Sequence, residues 1–288
     1  ALLMAPAIGW AQDTGTGLPE SVAPAHAEEA DLLRADGWRL VIRAPEPLDR
    51  LLREYLDIAR FQREAAEPGA LPISRAELRR LVVSAPEQAR GLIDAEGYFG
   101  ARITTRVHDE VPGRPIEVTL TVEPGELTQV SRVQFVFEGE LDARLEAGEA
   151  SAQALVDGLS AQWGLPVGTV FRQVDWTAAK NAALARLRAD GYPTAVWSGT
   201  SSTVDATTRE ARLFMVADSG PAFAFGDIRI EGLDRQPASA IVNTAPFRPG
   251  DPYSEKQLLD WQERIQKLNL FESIFVSTDL DPAHAKAA

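Results

Sequence analysis

The chain has 288 residues, of which 45% are hydrophobic, so it is long enough for two or three domains of ordinary size with buried cores. Its formal net charge of −13 weighs against binding to nucleic acid or to anionic lipid, because phosphate groups would be repelled. The absence of cysteine excludes disulfide bonds, thiolate catalysis and thiolate metal sites, and it fits an oxidising compartment.

The N-terminal segment divides into an apolar part and a polar part. The first eleven residues, ALLMAPAIGWA, are uncharged and carry small residues, Gly9 and Ala11, at the −3 and −1 positions of a possible cleavage site. We interpret residues 1–11 as the remainder of a signal peptide and expect the sequence to begin inside a longer reading frame, with a frayed apolar terminus as the alternative. Residues 12–36 are rich in Gly, Pro, Ala and acidic residues, which predicts a flexible N-terminus.

A strand, helices and a hairpin are predicted over residues 37–126. The run WRLVIRA from Trp38 is typical of a strand, and the apolar spacing from Leu48 to Ala59 is typical of an amphipathic helix. Strand-like runs on both sides of Pro112-Gly113 predict a hairpin. Two capping boxes between these elements predict two separate helices: Ser74 with Glu77, and Ser84 with Glu87.

The same order returns in residues 127–221 and begins again in residues 222–288. The second round has a strand over QVSRVQFVFEG, two helices, and a hairpin formed by TAVWSGTSSTVD and EARLFMVADSG. We interpret the acidic run EGELDARLE between the strand and the helices as a solvated surface. The third round has FGDIRIEGL as a strand, a helix capped by Ser254 and Gln257, and FESIFVSTDL as a strand. Its hairpin partner is missing, because DPAHAKAA carries no strand signal.

A Gly-Tyr pair joins helix to strand in both of the first two rounds. Gly97-Tyr98 and Gly191-Tyr192 are 94 residues apart, as are the strand ends Val122 and Val216. We interpret each glycine as a helix cap in the left-handed conformation and each tyrosine as a plug between helix and sheet, rather than as ligand contacts. The sequence therefore predicts an α+β protein made of whole small domains in tandem, since solenoid repeats are shorter.

This β-α-α-β-β pattern resembles the POTRA domains of outer-membrane assembly proteins. The likeness is carried by the strand ends VFEG and IRIEG, by the GY pairs, and by VEPG and VADSGP at the ends of the third strands. Longer stretches, among them FRQVDWTAAKNAALARLRADGYP and APFRPGDPYSEKQLLDWQERIQKLNLFESIFVS, resemble the TamA family of autotransporter assembly factors. The resemblance covers residues 38–280 and implies three POTRA domains, the third without its last strand.

The resemblance also implies where partners would bind. In POTRA sheets the second strand lies at an edge, and a sheet edge can accept an added strand from another chain. The second strands are expected near residues 99–108, 194–204 and 272–280. The candidate partner-binding residues on them are Arg102, Ile103, Thr104, Arg106, Val196, Trp197, Ser198, Ile274 and Val276. Burial tendency favours Trp197 as a core residue, and the arginines can equally serve as charges that keep an edge soluble.

The implied function is support of outer-membrane protein assembly from the periplasmic side of the outer membrane. The implied partners are unfolded outer-membrane client proteins and a TamB-like protein anchored in the inner membrane, with membrane association through a C-terminal barrel that this sequence does not include. A free-standing periplasmic scaffold or adaptor is the alternative. An enzyme is disfavoured, because His26, His108 and His284 have no zinc spacing and no nucleophile-base pair is recognisable; no metal or cofactor is predicted.

Overall fold

The computed structural model describes residues 32–109, 114–233, 237–268 and 273–280. The interpretation of residues 1–11 as a signal-peptide remainder, most of the flexible segment 12–36 and the Pro112-Gly113 turn lie outside the described residues. The segment predicted to be flexible is nevertheless ordered from Leu32 onward. Strand β1 (Leu32–Leu33) pairs with β3 (Ile73–Ser74), and Leu33 is buried, so the prediction is wrong for these last residues because an apolar pair reaches the core.

The first unit is a three-stranded sheet covered by helices on one face. Its elements, after a 3₁₀ turn over Ala35–Gly37, are β2 (Trp38–Arg43), α1 (Leu48–Tyr55), α2 (Asp57–Ala65), α3 (Arg75–Ala95), β4 (Arg102–His108) and β5 (Ile116–Glu123). The last strand is central, because β5 pairs in parallel with β2 and antiparallel with β4. The apolar residues at alternate positions of β5 are buried, and Thr119 between two of them is buried as well.

Helix α3 corrects the prediction of two helices in this region. Ser74 is the N-cap, and its hydroxyl accepts a hydrogen bond from the backbone N–H of Glu77 at 3.1 Å. Ser84, however, lies in the middle of the helix and donates to the carbonyl of Leu81, and Pro86 also lies inside the helix. The buried stripe passes through this point without a break, so burial of one continuous face outweighs the lost backbone hydrogen bond. Its members are Leu78, Leu81, Ala85, Ala89 and Ile93.

The second unit repeats this arrangement. Its elements are β6 (Gln129–Glu138), α4 (Glu140–Glu146), α5 (Ala150–Ala161), α6 (Gln173–Ala189), β7 (Val196–Asp205) and β8 (Glu210–Asp218). The central strand is again the last one, with β8 parallel to β6 and antiparallel to β7. Helix α4 occupies the run interpreted as an acidic surface; it is helical because Leu141 is buried in the core of the unit while its acidic residues stay exposed or half-buried.

The third unit keeps its helices but has no β-sheet within the described residues. Helices α7 (Ala238–Val242) and α8 (Glu255–Lys267) surround an aromatic cluster, with the Phe225 and Phe247 ring centroids 3.7 Å apart. Ser254 is the N-cap of α8, but its side chain forms no capping hydrogen bond. Residues 225–233 and 273–280, both expected to be strands, form no ladder, so this part of the prediction is wrong. Apart from the isolated bridge between Ala224 and Pro252, the described part of this unit contains no strand pairing.

The α+β class is confirmed by this mixture of helices and small mixed sheets. The described residues form three separate hydrophobic clusters, one for each unit. The first two clusters contain 20 and 18 buried residues, and the third contains five. Most of the stabilisation from burial therefore resides in the first two units.

The Gly-Tyr pairs lie where each unit meets the next. Gly97 and Gly191 have φ angles of 98° and 100°, just past the ends of α3 and α6. The amide of Thr128 donates to the carbonyl of Gly97 at 2.9 Å, and the amide of Phe223 donates to that of Gly191 at 2.8 Å. Each glycine therefore ends a helix and also presents its carbonyl to the next unit.

A second pair of hydrogen bonds ties the start of each following unit to the loop before its long helix. Phe171 N–H donates to the Thr128 carbonyl at 2.9 Å, and Tyr253 N–H donates to the Phe223 carbonyl at 2.9 Å. Phe171 also stacks on Phe99 of the first unit, with ring centroids 5.8 Å apart. The two junctions thus have the same two backbone hydrogen bonds. This accounts for the recurrence of the Gly-Tyr pair, and of an aromatic residue three positions after Gly168 and Gly250.

Candidate strand-acceptor edges

The strand order leaves β4 and β7 at the edges of their sheets. Within the described part of the chain, β4 pairs with β5 and β7 pairs with β8, and neither has a neighbour on its other side. An edge strand presents unpaired backbone N–H and C=O groups, which can pair with an incoming extended segment. The candidate residues of the first two units therefore lie on strands at the edges of their sheets.

Strand β4 is an edge that carries positive charge. Arg102, Thr104 and Arg106 are exposed, while Ile103 is half-buried against the core of the first unit. Neither arginine forms an ion pair with any residue that the structure describes. Charges of this kind commonly protect an edge from unwanted pairing, and the two arginines give the β4 edge a positive charge.

Near the start of β7, the side chains of Trp197 and Ser198 form hydrogen bonds within their own unit. Trp197 is half-buried against the core, and its indole N–H donates to the carbonyl of Lys180 at 3.3 Å. Ser198 donates its hydroxyl proton to a carboxylate oxygen of Glu138 at 2.7 Å. The ladder is irregular between Trp197 and Gly199, and such bulges interrupt strand pairing. Trp197 therefore packs against the core of its unit, and Val196 stands at the irregular end of the edge.

The remainder of β7 is a regular and uncharged edge. Thr200, Ser201, Ser202 and Thr203 are all exposed, and they pair in unbroken register with Met215, Phe214, Leu213 and Arg212 of β8. This stretch contains no Lys, Arg or Pro, the residues that usually protect an edge. None of these four residues is among the partner-binding residues predicted from the sequence. The available signal was the run GTSST, which combines β-forming threonines with the absence of charge inside a predicted edge strand.

The far end of β7 is held in place by a tight turn. A carboxylate oxygen of Asp205 accepts hydrogen bonds from the backbone N–H groups of Thr207 at 2.8 Å and Thr208 at 3.2 Å. These backbone donors lower the pKa of Asp205, because they stabilise its ionised form. Arg209, in the left-handed region with φ of 58°, forms an ion pair with Glu126 of the preceding unit. The open edge therefore ends at a fixed point against the first unit.

Ile274 and Val276 occupy a different environment from the other candidates. They belong to a segment without strand pairing, and both are half-buried against the third cluster, while Phe275 between them is 89% exposed. They therefore face their own unit rather than an edge of a formed sheet.

Other kinds of site have little support in the described residues. They contain no group of three or more His, Cys, Asp or Glu side chains that could hold a metal ion. His108 lies exposed at the end of β4, and His26 and His284 are outside the described residues. No helix in the described ranges is long and apolar enough to span a membrane.

No protein-family model matches the sequence. Among solved structures, the chain is similar to POTRA domains 3–5 of BamA from Haemophilus influenzae, with 18% sequence identity and a TM-score of 0.42 over 90% of this chain and 93% of that chain. It is also similar to POTRA domains 1–3 of the periplasmic domain of Omp85 from Anabaena, with 15% identity and a TM-score of 0.34 over 86% of this chain and 89% of that chain. For CdiB from Escherichia coli the identity is 11% and the TM-score 0.25, over 68% of this chain and 29% of that chain. These three TM-scores are below 0.5, and no statement about function rests on them.

Proposed function

We propose that this chain is a periplasmic POTRA region that binds an extended segment of a client or partner protein by β-strand addition. The observation that carries the proposal is the open edge of β7 from Thr200 to Thr203, which is exposed, regular in register and uncharged. The β4 edge, with Arg102 and Arg106, is a second acceptor that selects for acidic segments.

Strand addition suits a receptor that must handle many unfolded polypeptides. The affinity comes from main-chain hydrogen bonds, which every residue of an extended segment except proline can donate. The side chains along the edge add a weak preference for particular sequences. On β7 these side chains are small hydroxyl groups, which exclude little by size or charge. The edge is therefore suited to segments of varied sequence.

We further propose that the chain belongs to a TamA-like assembly factor and works in the periplasm at the outer membrane. The support is the resemblance of its motifs, the shared order of one strand, three helices and two strands in the first two units, and the three separate hydrophobic clusters. The proposed POTRA units span 37–126, 127–221 and 222–288. A TamB-like protein anchored in the inner membrane and unfolded outer-membrane proteins are the proposed partners. Fractionation of cells that express the native gene distinguishes this from a free-standing scaffold, since an assembly factor pellets with the outer membrane and a scaffold remains in the soluble periplasm.

The edge itself is tested by proline substitution at two successive residues, Ser201→Pro and Ser202→Pro. In an edge strand, successive backbone N–H groups point alternately toward the neighbouring strand and toward solvent. One of the two prolines therefore removes only an outward N–H group, while the other also breaks a bond to β8. Urea unfolding identifies which variant keeps its stability, and that variant is the informative one.

Binding is measured by biolayer interferometry with a urea-unfolded outer-membrane β-barrel protein as the probe. We expect the stable proline variant to bind at least about ten-fold more weakly than the unsubstituted chain, a loss of about 1.4 kcal/mol. Thr104→Pro on the β4 edge is the matched comparison and tests that edge separately. Unchanged capture by the stable β7 variant would reject strand addition at this edge.

A further inference from the structure

The face of the first sheet that points away from the helices carries several arginine side chains. Alternate residues of β2 and β5, and Ile103 of β4, pack in the hydrophobic cluster of the unit, so the residues between them point outward. The charged members of this outward set are four arginines and two glutamates: Arg39, Arg43, Arg102, Arg106, Glu117 and Glu123. In a chain with a formal net charge of −13, this face is a local region of positive charge.

Arg39 is the arginine whose charge is neutralised on the face itself, because its guanidinium forms an ion pair with Glu117. Arg43, Arg102 and Arg106 are exposed, and among the residues whose structure is described none of the three has an ion-pair partner. We call these three residues the arginine face. Each of their guanidinium groups has a planar set of N–H donors that fits a carboxylate of another molecule.

The register of the sheet places these three arginines in successive rows. Their neighbours on the central strand β5 lie two residues apart: Thr119 beside Arg106, Thr121 beside Arg43, and Glu123 beside Arg102. Two residues of a strand span about 7 Å, and Arg43 is on β2 whereas the other two arginines are on β4. The positive charges therefore alternate between the two sides of β5 at intervals of about 7 Å.

We propose that the arginine face binds an extended acidic segment of a partner protein, with a carboxylate at every second residue. Side chains on one face of an extended segment also recur about every 7 Å, so carboxylates at positions i, i+2 and i+4 meet the three rows in turn. Stacked strands lie about 10 Å apart, a gap that facing arginine and glutamate side chains fill. Glu123 lies in the row of Arg102, so we expect this row to contribute least.

A protein segment fits this face better than a lipid surface does. The net charge of −13 opposes contact of the whole chain with anionic lipid. A single segment, in contrast, meets mainly the charges within the Debye length, which is about 8 Å at physiological ionic strength. The outward residues of β4 are also polar or charged, whereas binding in a lipid interface needs apolar side chains.

This surface goes beyond the strand-acceptor edges, because it uses side chains across the whole sheet rather than the backbone of one strand. A segment added beside β4 would lie three strand spacings, about 14 Å, from β2. Arg43 is on β2 and therefore separates the two binding modes. The assay of β7 with an unfolded barrel protein does not depend on these arginines, so a failure of the arginine face would leave that result unchanged.

The probe is a fluorescein-labelled peptide, TETETET, and its control is TTEEETT, which has the same composition and charge. Fluorescence anisotropy with the full chain measures both affinities at about 0.1 M ionic strength, where the Debye length is about 10 Å. We expect TETETET to bind at least about two-fold more tightly, because it places three carboxylates on one face of an extended chain and the control places two.

Variants of the chain test the contact from the other side. Arg43→Gln should weaken binding of TETETET at least about two-fold, and the double variant Arg43→Gln/Arg106→Gln at least about four-fold, since exposed charge pairs each contribute a small amount. Arg132→Gln is the matched control, because Arg132 is exposed on β6 of the second unit and its substitution changes the net charge equally. It should change the affinity less than about 1.5-fold, since distant surface charges are screened. Urea unfolding checks that each variant is folded, and the comparison of the two peptides uses the unsubstituted chain.

Four results would overturn the proposal. Equal binding of the two peptides would show that the row spacing is not recognised. Weaker binding by Arg106→Gln but not by Arg43→Gln would mean that the peptide adds to the β4 edge, which would support the proposed function and reject the arginine face. Capture of phosphatidylglycerol vesicles that is lost in the double variant would identify a lipid surface as the occupant. Self-association that is lost in the double variant would identify a second copy of the chain.

Discussion

Alanine at Gly97 and at Gly191 should have different costs, although both glycines end a helix with nearly the same φ. A side chain in the left-handed region costs about 1–2 kcal/mol at either position. At Gly97 an added Cβ would also lie 2.7 Å from the carbonyl oxygen of Phe171, whereas at Gly191 it would meet nothing within 4 Å. Forcing an atom into a packed site costs a further ~1–3 kcal/mol. We therefore expect Gly97→Ala to cost about 2–5 kcal/mol and Gly191→Ala about 1–2 kcal/mol.

The extra cost at Gly97 should appear at the junction between the first two units. Phe171 belongs to the second unit, so relief of the close contact must move one unit against the other or distort the backbone hydrogen bonds that link Thr128 to Gly97 and Phe171. Hydrogen exchange followed by mass spectrometry is the suitable assay, because a chain of several units need not unfold in a single transition. Faster exchange of the Thr128 and Phe171 amides is expected in Gly97→Ala, with little change in Gly191→Ala.

Two results would contradict this expectation for the glycine variants. Equal losses of stability in the two variants would mean that backbone conformation alone matters and that the close approach to Phe171 is not a constraint. Unchanged exchange at Thr128 in Gly97→Ala would mean that the glycine does not hold the junction.

Three further predictions concern single interactions in the first two units. Tyr192→Phe should cost about 0.5–1.5 kcal/mol in urea unfolding, because the Tyr192 hydroxyl accepts a hydrogen bond from Arg144 at 3.1 Å; Tyr98→Phe is the control, since no hydrogen bond to the Tyr98 hydroxyl is present among the described residues. Ser74→Ala should cost about 1 kcal/mol through loss of the N-cap, and the same change at mid-helix Ser84 should stay within about 0.5 kcal/mol. Burial raises the pKa of Asp94, so the folded state binds protons more readily than the unfolded state and stability falls as pH rises from the ordinary carboxyl pKa through the raised value. Asp94→Asn should remove this fall, and parallel pH profiles for the two chains would contradict it.

The first two units could be predicted from sequence because their signals are local. Alternation in β6 and β8, the Ser74 cap and the glycines after α3 and α6 each follow from a few neighbouring residues. The predictions failed where a distant partner decided the outcome. Pro86 remains helical because the stripe on both sides of it packs into one core, and β1 is ordered because Leu32–Leu33 pair with residues about forty positions later.

The acceptor edge was only partly predictable for a related reason. The edge positions of β4 and β7 were predicted from the resemblance to POTRA domains, because the periodicity of a sequence does not give the order of strands in a sheet. Which part of β7 is open depends on the irregularity at Trp197–Gly199 and on the Ser198 contact with Glu138, and the residues of that contact are 60 positions apart. Composition alone could have indicated Thr200–Thr203, because the absence of protecting charges is visible in the sequence.

The described part of the third unit has helices and an aromatic cluster but no ladder between its extended segments, and the strand order of the first two units agrees with this. In the first two units the first and second strands never pair with each other, because both pair with the central strand, which comes last in the chain. Every ladder hydrogen bond of such a sheet therefore involves that one strand. Within the described residues the segments 226–233 and 273–280 form no ladder, although side chains from both pack against the cluster around Trp261. In this strand order the first and second strands meet only through the central strand, so side-chain packing against the aromatic cluster is what positions Ile228 and Ile274 in the described part of the third unit.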